Sequence, residues 1–212
     1  MGMHYGIVAV QADVAQLIDA MRVAWPRHEP AQTAVVAGFG ELHDWTRALQ
    51  RAANATRQSK DEPDTDVFGF WRDGPWAVMM DASYAQVSDP RALAALSERF
   101  GQALSFVIET AGGCAFFDAF ERGQMSRSIR SVDGEVTTQG QPLPQEGALR
   151  QGHFYMEETD RLQQAFGLTP PGNLPHDQAI TAAAYLDCND YSRLRQAVAA
   201  PATAKRPWWR VW

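Results

Sequence analysis

Apolar residues change period several times along this chain, and each change marks an element. His4 to Val10 is β-prone. Beyond it Val14, Leu17, Ile18, Met21 and Trp25 recur at three- and four-residue spacing, which places them on one face of a helix capped by Asp13 and ended by Pro26 and Pro30. Thr33 to Ala37 reads as a second strand. Gly38-Phe39-Gly40 leads into a second helix from about Glu41 to Ala55, with Leu42, Trp45, Ala48, Leu49 and Ala52 inward.

From Phe68 to Leu143 the pattern becomes short apolar runs broken by glycine-bearing turns, the strongest local signal for antiparallel hairpins. Val67 to Arg72 faces Trp76 to Asp81 across Asp73-Gly74-Pro75. One helix interrupts the series. Ser88 or Asp89 caps it, Pro90 occupies its first turn, Leu93, Leu96 and Phe100 form its inner face, and Gly101 closes it. Strands follow around Ser105–Glu109, Ala115–Glu121, Ser126–Arg130 and Glu135–Thr138, with turns at Gly112-Gly113, Arg122-Gly123 and Asp133-Gly134.

Gly140 to Gly152 is a loop rich in Gly, Pro and Gln. Glu157 to Phe166 reads as a helix stopped by Gly167, with Leu162 and Phe166 inward. Thr169 to Pro175 is a rigid connector, since proline fixes φ and restricts the residue before it. Asp177 to Leu186 is open between helix and strand: alanine favours the first, while Ile180, Thr181 and Tyr185 tolerate the second. Asn189 or Asp190 caps a last helix to Ala199. A basic, aromatic tail, residues 201–212, ends the chain with Trp208, Trp209 and Trp212 beside Lys205, Arg206 and Arg210.

These elements predict a single α+β domain over residues 1–212. Its sheet is largely antiparallel and twisted, its helices pack mainly on one face, and its C-terminal section is helical. The β-α-β-α start leaves an α/β arrangement as the alternative, because the first two strands could be parallel.

Composition narrows the function. Hydrophobic residues make up 45% and charged residues 21%, an ordinary globular balance. The net charge of −6 argues against nonspecific nucleic-acid binding, which needs a basic footprint, and is compatible with a basic protein partner. Cys114 and Cys188 are too few and too far apart for a disulfide framework. The N-terminus has no basic segment leading into an apolar one, and no apolar run is long enough to cross a bilayer, so cytoplasmic residence is the expectation.

Candidate chemistry is sparse. Gly38-Phe39-Gly40-Glu41-Leu42-His43 imitates a dinucleotide-binding turn, but His43 stands where the third glycine would permit close packing, so a turn and cap explain it better. Phosphate-binding, zinc-protease, paired-cysteine and serine-hydrolase motifs are missing, and no cofactor or metal is expected. Cys114 precedes Ala115-Phe116-Phe117, an apolar setting that suits a buried thiol rather than a nucleophile. His153 and Glu157 are four apart with Glu158 and Asp160 nearby, yet carboxylates at a helix start already serve the helix dipole. Asp118, Glu121, Arg127, Arg130 and Glu135 lie on adjacent strands, where several could share one face as cross-strand pairs. The tail could stack on bases, enter a membrane interface or dock on the chain itself, and self-docking is the leading choice, with docking on a second subunit next.

The Phe68–Asp81 hairpin with Trp71 and Trp76, the helix containing Leu96-Ser97, the strands around Phe116–Arg130, and Gly140-Gln141-Pro142-Leu143-Pro144 together resemble the small acidic immunity proteins that bacteria keep against polymorphic or contact-delivered toxins. The resemblance is one of organisation rather than of a motif. It implies a non-enzymatic module that blocks a cytoplasm-acting toxin. Contacts to a basic toxin surface are then expected from Asp61, Glu62, Asp64 and Asp66 in the acidic loop, with Trp71 or Trp76 as anchors if exposed. The alternative is a small enzyme with a cleft between the sheet and the C-terminal helices, using His153, Glu157 and Asp118. A third reading is an assembly subunit that reaches its neighbour through the tryptophan tail.

Overall fold

A computed structural model describes residues 4–24, 30–56, 65–81, 86–150 and 152–186. In chain order the elements are β1 (His4–Val10), α1 (Val14–Ala24), β2 (Pro30–Ala37), α2 (Gly38–Thr56), β3 (Thr65–Asp73) and β4 (Trp76–Asp81). They continue with α3 (Pro90–Phe100), β5 (Gln102–Glu109), β6 (Cys114–Glu121), β7 (Gln124–Val132), β8 (Glu135–Gly140), α4 (Met156–Ala165) and β9 (Ala179–Leu186). All nine strands form one sheet in the order β2-β9-β3-β4-β1-β5-β6-β7-β8, and every pairing is antiparallel. The fold is α+β. The first two strands are not neighbours, which removes the α/β alternative.

Local chemistry accounts for the right half of that order. Arg122-Gly123 and Asp133-Gly134 all take positive φ, the geometry of a tight turn whose twist matches its strands, so β6, β7 and β8 follow as consecutive hairpins. Long-range pairing accounts for the left half. β1 sits between β4 and β5, and β9 inserts between β2 and β3. That slot resolves the ambiguous 177–186 segment as a strand. Ala182, Ala183 and Ala184 are buried there, with Ala182 in one apolar layer and Ala183 in the other.

The helices divide between the two faces of the sheet instead of gathering mainly on one. On one face Leu17, Ala20 and Met21 of α1 and Leu93 and Leu96 of α3 pack on Val8, Val10, Phe68, Phe70 and Met79. On the other, Leu42 of α2 and Leu162 of α4 join Ile7, Trp71, Val78, Phe106 and Phe117. Central strands are therefore buried on both sides, which is why Ile7-Val8-Ala9-Val10 and Trp76-Ala77-Val78-Met79 are continuously apolar. The last helix expected at 189–199 and the tail at 201–212 lie outside the described residues.

α3 starts as its sequence dictates. The Asp89 carboxylate accepts from the Arg91 N–H, Pro90 occupies the first turn, and Gly101 ends the helix at φ 84°. Asp89→Ala should cost about 1 kcal/mol in urea denaturation, the usual value of such a cap. An unchanged midpoint would mean that packing alone fixes the start of α3.

Candidate functional site

Three of the strands run out beyond the helix that covers them. α3 lies across β5 and reaches β6 and β7, but among the described residues no helix covers the same face of β6–β8 beyond Pro90. A concavity of about 490 Å3 forms there, walled by Pro90, Phe120 and Met125, floored by Asp118, Ser128 and Arg130, and rimmed by Thr137, Thr138 and Gln139.

Strand parity and register assemble its floor. Asp118 pairs with Ser128 and Arg130 with Phe116 across β6 and β7, so these four side chains share one face. The Arg130 Nη2 donates to Asp118 Oδ2 at 2.5 Å and its Nε to Ser128 Oγ at 3.3 Å. Its guanidinium lies 4.8 Å from the centre of the Phe116 ring, close enough for a cation–π contact. Asp118 is only 5% exposed, whereas the Arg130 side chain is 38% exposed. Burial pushes the Asp118 carboxyl above the usual range, against the pull of the Arg130 charge and hydrogen bonds from Ser128 and Arg130. Among the described residues no acceptor meets Arg130 Nη1, and the Arg130 side chain lines the recess.

Arg127 does not belong to this face. It lies three positions before Arg130, and an odd offset in a strand places side chains on opposite sides. It is buried against Glu146, donating Nε and Nη2 to the two carboxylate oxygens at 2.8 and 2.6 Å. Glu146 also accepts from the Leu143 N–H at 2.8 Å. This bidentate pair ties the 3-10 turn at Pro144–Ala148 beneath β7 and β8, closing the face opposite the recess.

The anchors expected of the hairpin are core residues. Trp71 is 1% exposed and meets Phe39 edge to face at 5.6 Å, and Trp76 is 3% exposed with its indole N–H donating to the Phe166 carbonyl at 2.9 Å. The condition of exposure is not met for either, because α2 and the end of α4 cover their face of the sheet. Asp66 is half-buried on β3, four strand spacings or roughly 19 Å from β6. Asp61, Glu62 and Asp64 lie outside the described residues.

His153, Glu157 and Asp118 do not converge. Asp118 faces away from α4, while the other two belong to a cluster that ties Arg150 to that helix. Arg150 Nε donates to the fully buried Glu158 at 3.0 Å, and Glu157 pairs with both Arg150 and Arg161. His153 Nε2 stands 3.3 Å from Glu158 Oε2, without hydrogen-bond geometry. Beneath α4, Tyr5 receives a hydrogen bond from Gln163 at 3.3 Å, and burial pushes its hydroxyl up to about 12. Cys114 is buried, its thiol raised by burial and then by Glu109 and Asp133, and its Sγ donates to the Gly112 carbonyl. That is the opposite of an activated nucleophile. Among the described residues no group of three or more His, Cys, Asp or Glu is placed to hold a metal, and no helix is long and apolar enough to cross a membrane.

Gly38 opens α2 at φ 68° and donates its N–H to the Gln178 carbonyl, with the His176 backbone packed where a Cβ would stand. The glycine serves that approach rather than a phosphate. Comparison with protein-family models, curated proteins and solved structures gave no match.

Proposed function

We propose that this chain is a protein-binding module of the immunity or inhibitor type, which neutralises a bacterial toxin acting in the cytoplasm by covering part of its surface. The observation that carries the reading is the open face of β6–β8. Elsewhere helices cover the central strands on both sides, and here, among the described residues, a recess in the sheet has no helix over it. Its chemistry mixes an apolar wall, hydroxyl and amide side chains and a partly exposed arginine, a residue type enriched at binding hot spots. The net charge of −6, to which Asp61, Glu62, Asp64 and Asp66 contribute, favours encounter with a basic partner.

Genetic co-expression tests this directly. The reading frame adjacent to this gene, expressed alone in the bacterial cytoplasm, should arrest growth, and co-expression of this chain should restore it. A harmless neighbour, or arrest that persists with the chain present, would overturn the immunity reading.

A further inference from the structure

The sheet ends at two strands, and they are not equivalent. β2 begins at Pro30, and its register with β9 shifts between Pro30 and Gln32, both devices that blunt an edge. β8 pairs with β7 without a register shift and carries no proline or lysine; Glu135 is its one charge. Val132 and Glu135 flank a two-residue turn and form its hydrogen-bonded pair. Alternation from there sends the backbone N–H and C=O of Val136 and Thr138 outward, away from β7. Among the described strands, none lies beyond β8.

β8 also borders the recess, which β2 does not. Thr137, Thr138 and Gln139 line it, so a strand laid against β8 would bring every second side chain over the cavity. The floor offers Arg130 Nη1, a donor that calls for an acceptor, and the walls are the apolar surfaces of Pro90, Phe120 and Met125. A side chain with an apolar stem and a carboxylate or carbonyl head matches both. Pairing of two copies through these six residues alone falls well short of the roughly 1,200 Å2 that a specific interface needs.

We infer that the outer edge of β8 takes an extended segment of the protein partner as an additional strand, with an acceptor-tipped side chain lowered into the recess onto Arg130. Backbone pairing then provides affinity and the recess provides specificity. This inference rests on the protein-binding reading and specifies its mode.

A phage-displayed library of random heptapeptides, panned against the full-length chain, supplies the probe. Enriched peptides should carry an acidic or amide residue flanked by alternating apolar positions, and should shift the amide resonances of Val136 and Thr138. Thr138→Lys, which blunts the edge without touching the core, should weaken them by about tenfold or more. Single N-methylation along the peptide should weaken binding at alternate positions only, by about fivefold each, as lost backbone hydrogen bonds require. That readout needs no protein variant.

Three results would overturn the inference. Peptides could bind with uniform sensitivity to N-methylation, or they could shift β2 rather than β8. In either case the chain would still bind protein, and only the edge would be wrong. Alternatively the unmodified chain could be a dimer that Thr138→Lys dissociates, which would assign the edge to a second copy. Absence of any enriched peptide, together with failed growth rescue, would instead remove the protein-binding reading beneath it.

Discussion

Arg130→Met is expected to destabilise the chain by about 2–3 kcal/mol at neutral pH, while Asp118→Asn should be nearly neutral or slightly stabilising. The asymmetry follows from exposure. Asp118 is 5% exposed, so removing Arg130 strands a carboxylate that water barely reaches. The Arg130 side chain is 38% exposed and can recover hydration when its partner becomes an amide, which also places the expected loss at the low end for a broken buried pair. Urea denaturation of both variants and a pH series on the first provide the check. Because burial raises the Asp118 carboxyl in the folded state, the fold favours its protonated form. Stability from this group is therefore complete below the unfolded pKa, near 3.9, and is lost as pH rises through the folded value. Without Arg130 that folded value rises further, so the deficit of Arg130→Met should shrink on acidification. Equal losses in the two variants, or a pH-independent deficit, would show that the pair is not the buried, one-sided arrangement described.

Trp71→Ala should lose about 3–5 kcal/mol, the range for deleting a buried aromatic side chain. Trp71→Phe should lose only about 1–2 kcal/mol, since the indole N–H finds no acceptor among the described residues and a ring still meets Phe39. Partner affinity per folded molecule should be unchanged in both, because the ring lies at the α2 side of the sheet and not at the open face. Thermal unfolding with binding measured on the same samples separates the two effects. A Trp71→Ala chain of ordinary stability and reduced affinity would return this residue to the interface.

The hairpins and helix ends were legible because their signals are local. Arg122-Gly123, Asp133-Gly134 and the Asp89-Pro90 start of α3 specify backbone geometry within a few residues. Both faces of the sheet were covered for a reason that the sequence also carries, since the uninterrupted apolar run at Ile7–Val10 is the mark of two-sided burial. Parity would likewise have separated Arg127 from Arg130. The tryptophans misled because an aromatic beside a turn suits an interface as well as a core, and only the placement of α2 and α4 decides. The β9 segment needed the slot between β2 and β3 to choose strand over helix. Of the recess, Asp118 and Arg130 were visible as candidate cross-strand charges. Phe120, Met125, Ser128 and Thr137–Gln139 were not, because the cavity exists only where α3 stops short of β8, and no local pattern encodes that.

Amide hydrogen exchange of the intact chain, with and without the purified product of the adjacent reading frame, locates the partner-binding face. Slowed exchange is expected at Val136 and Thr138 and along the recessed face of β6–β8, with little change on the α2 and α4 side. Protection confined to the α2 and α4 side, with β8 exchanging as in the free chain, would contradict it.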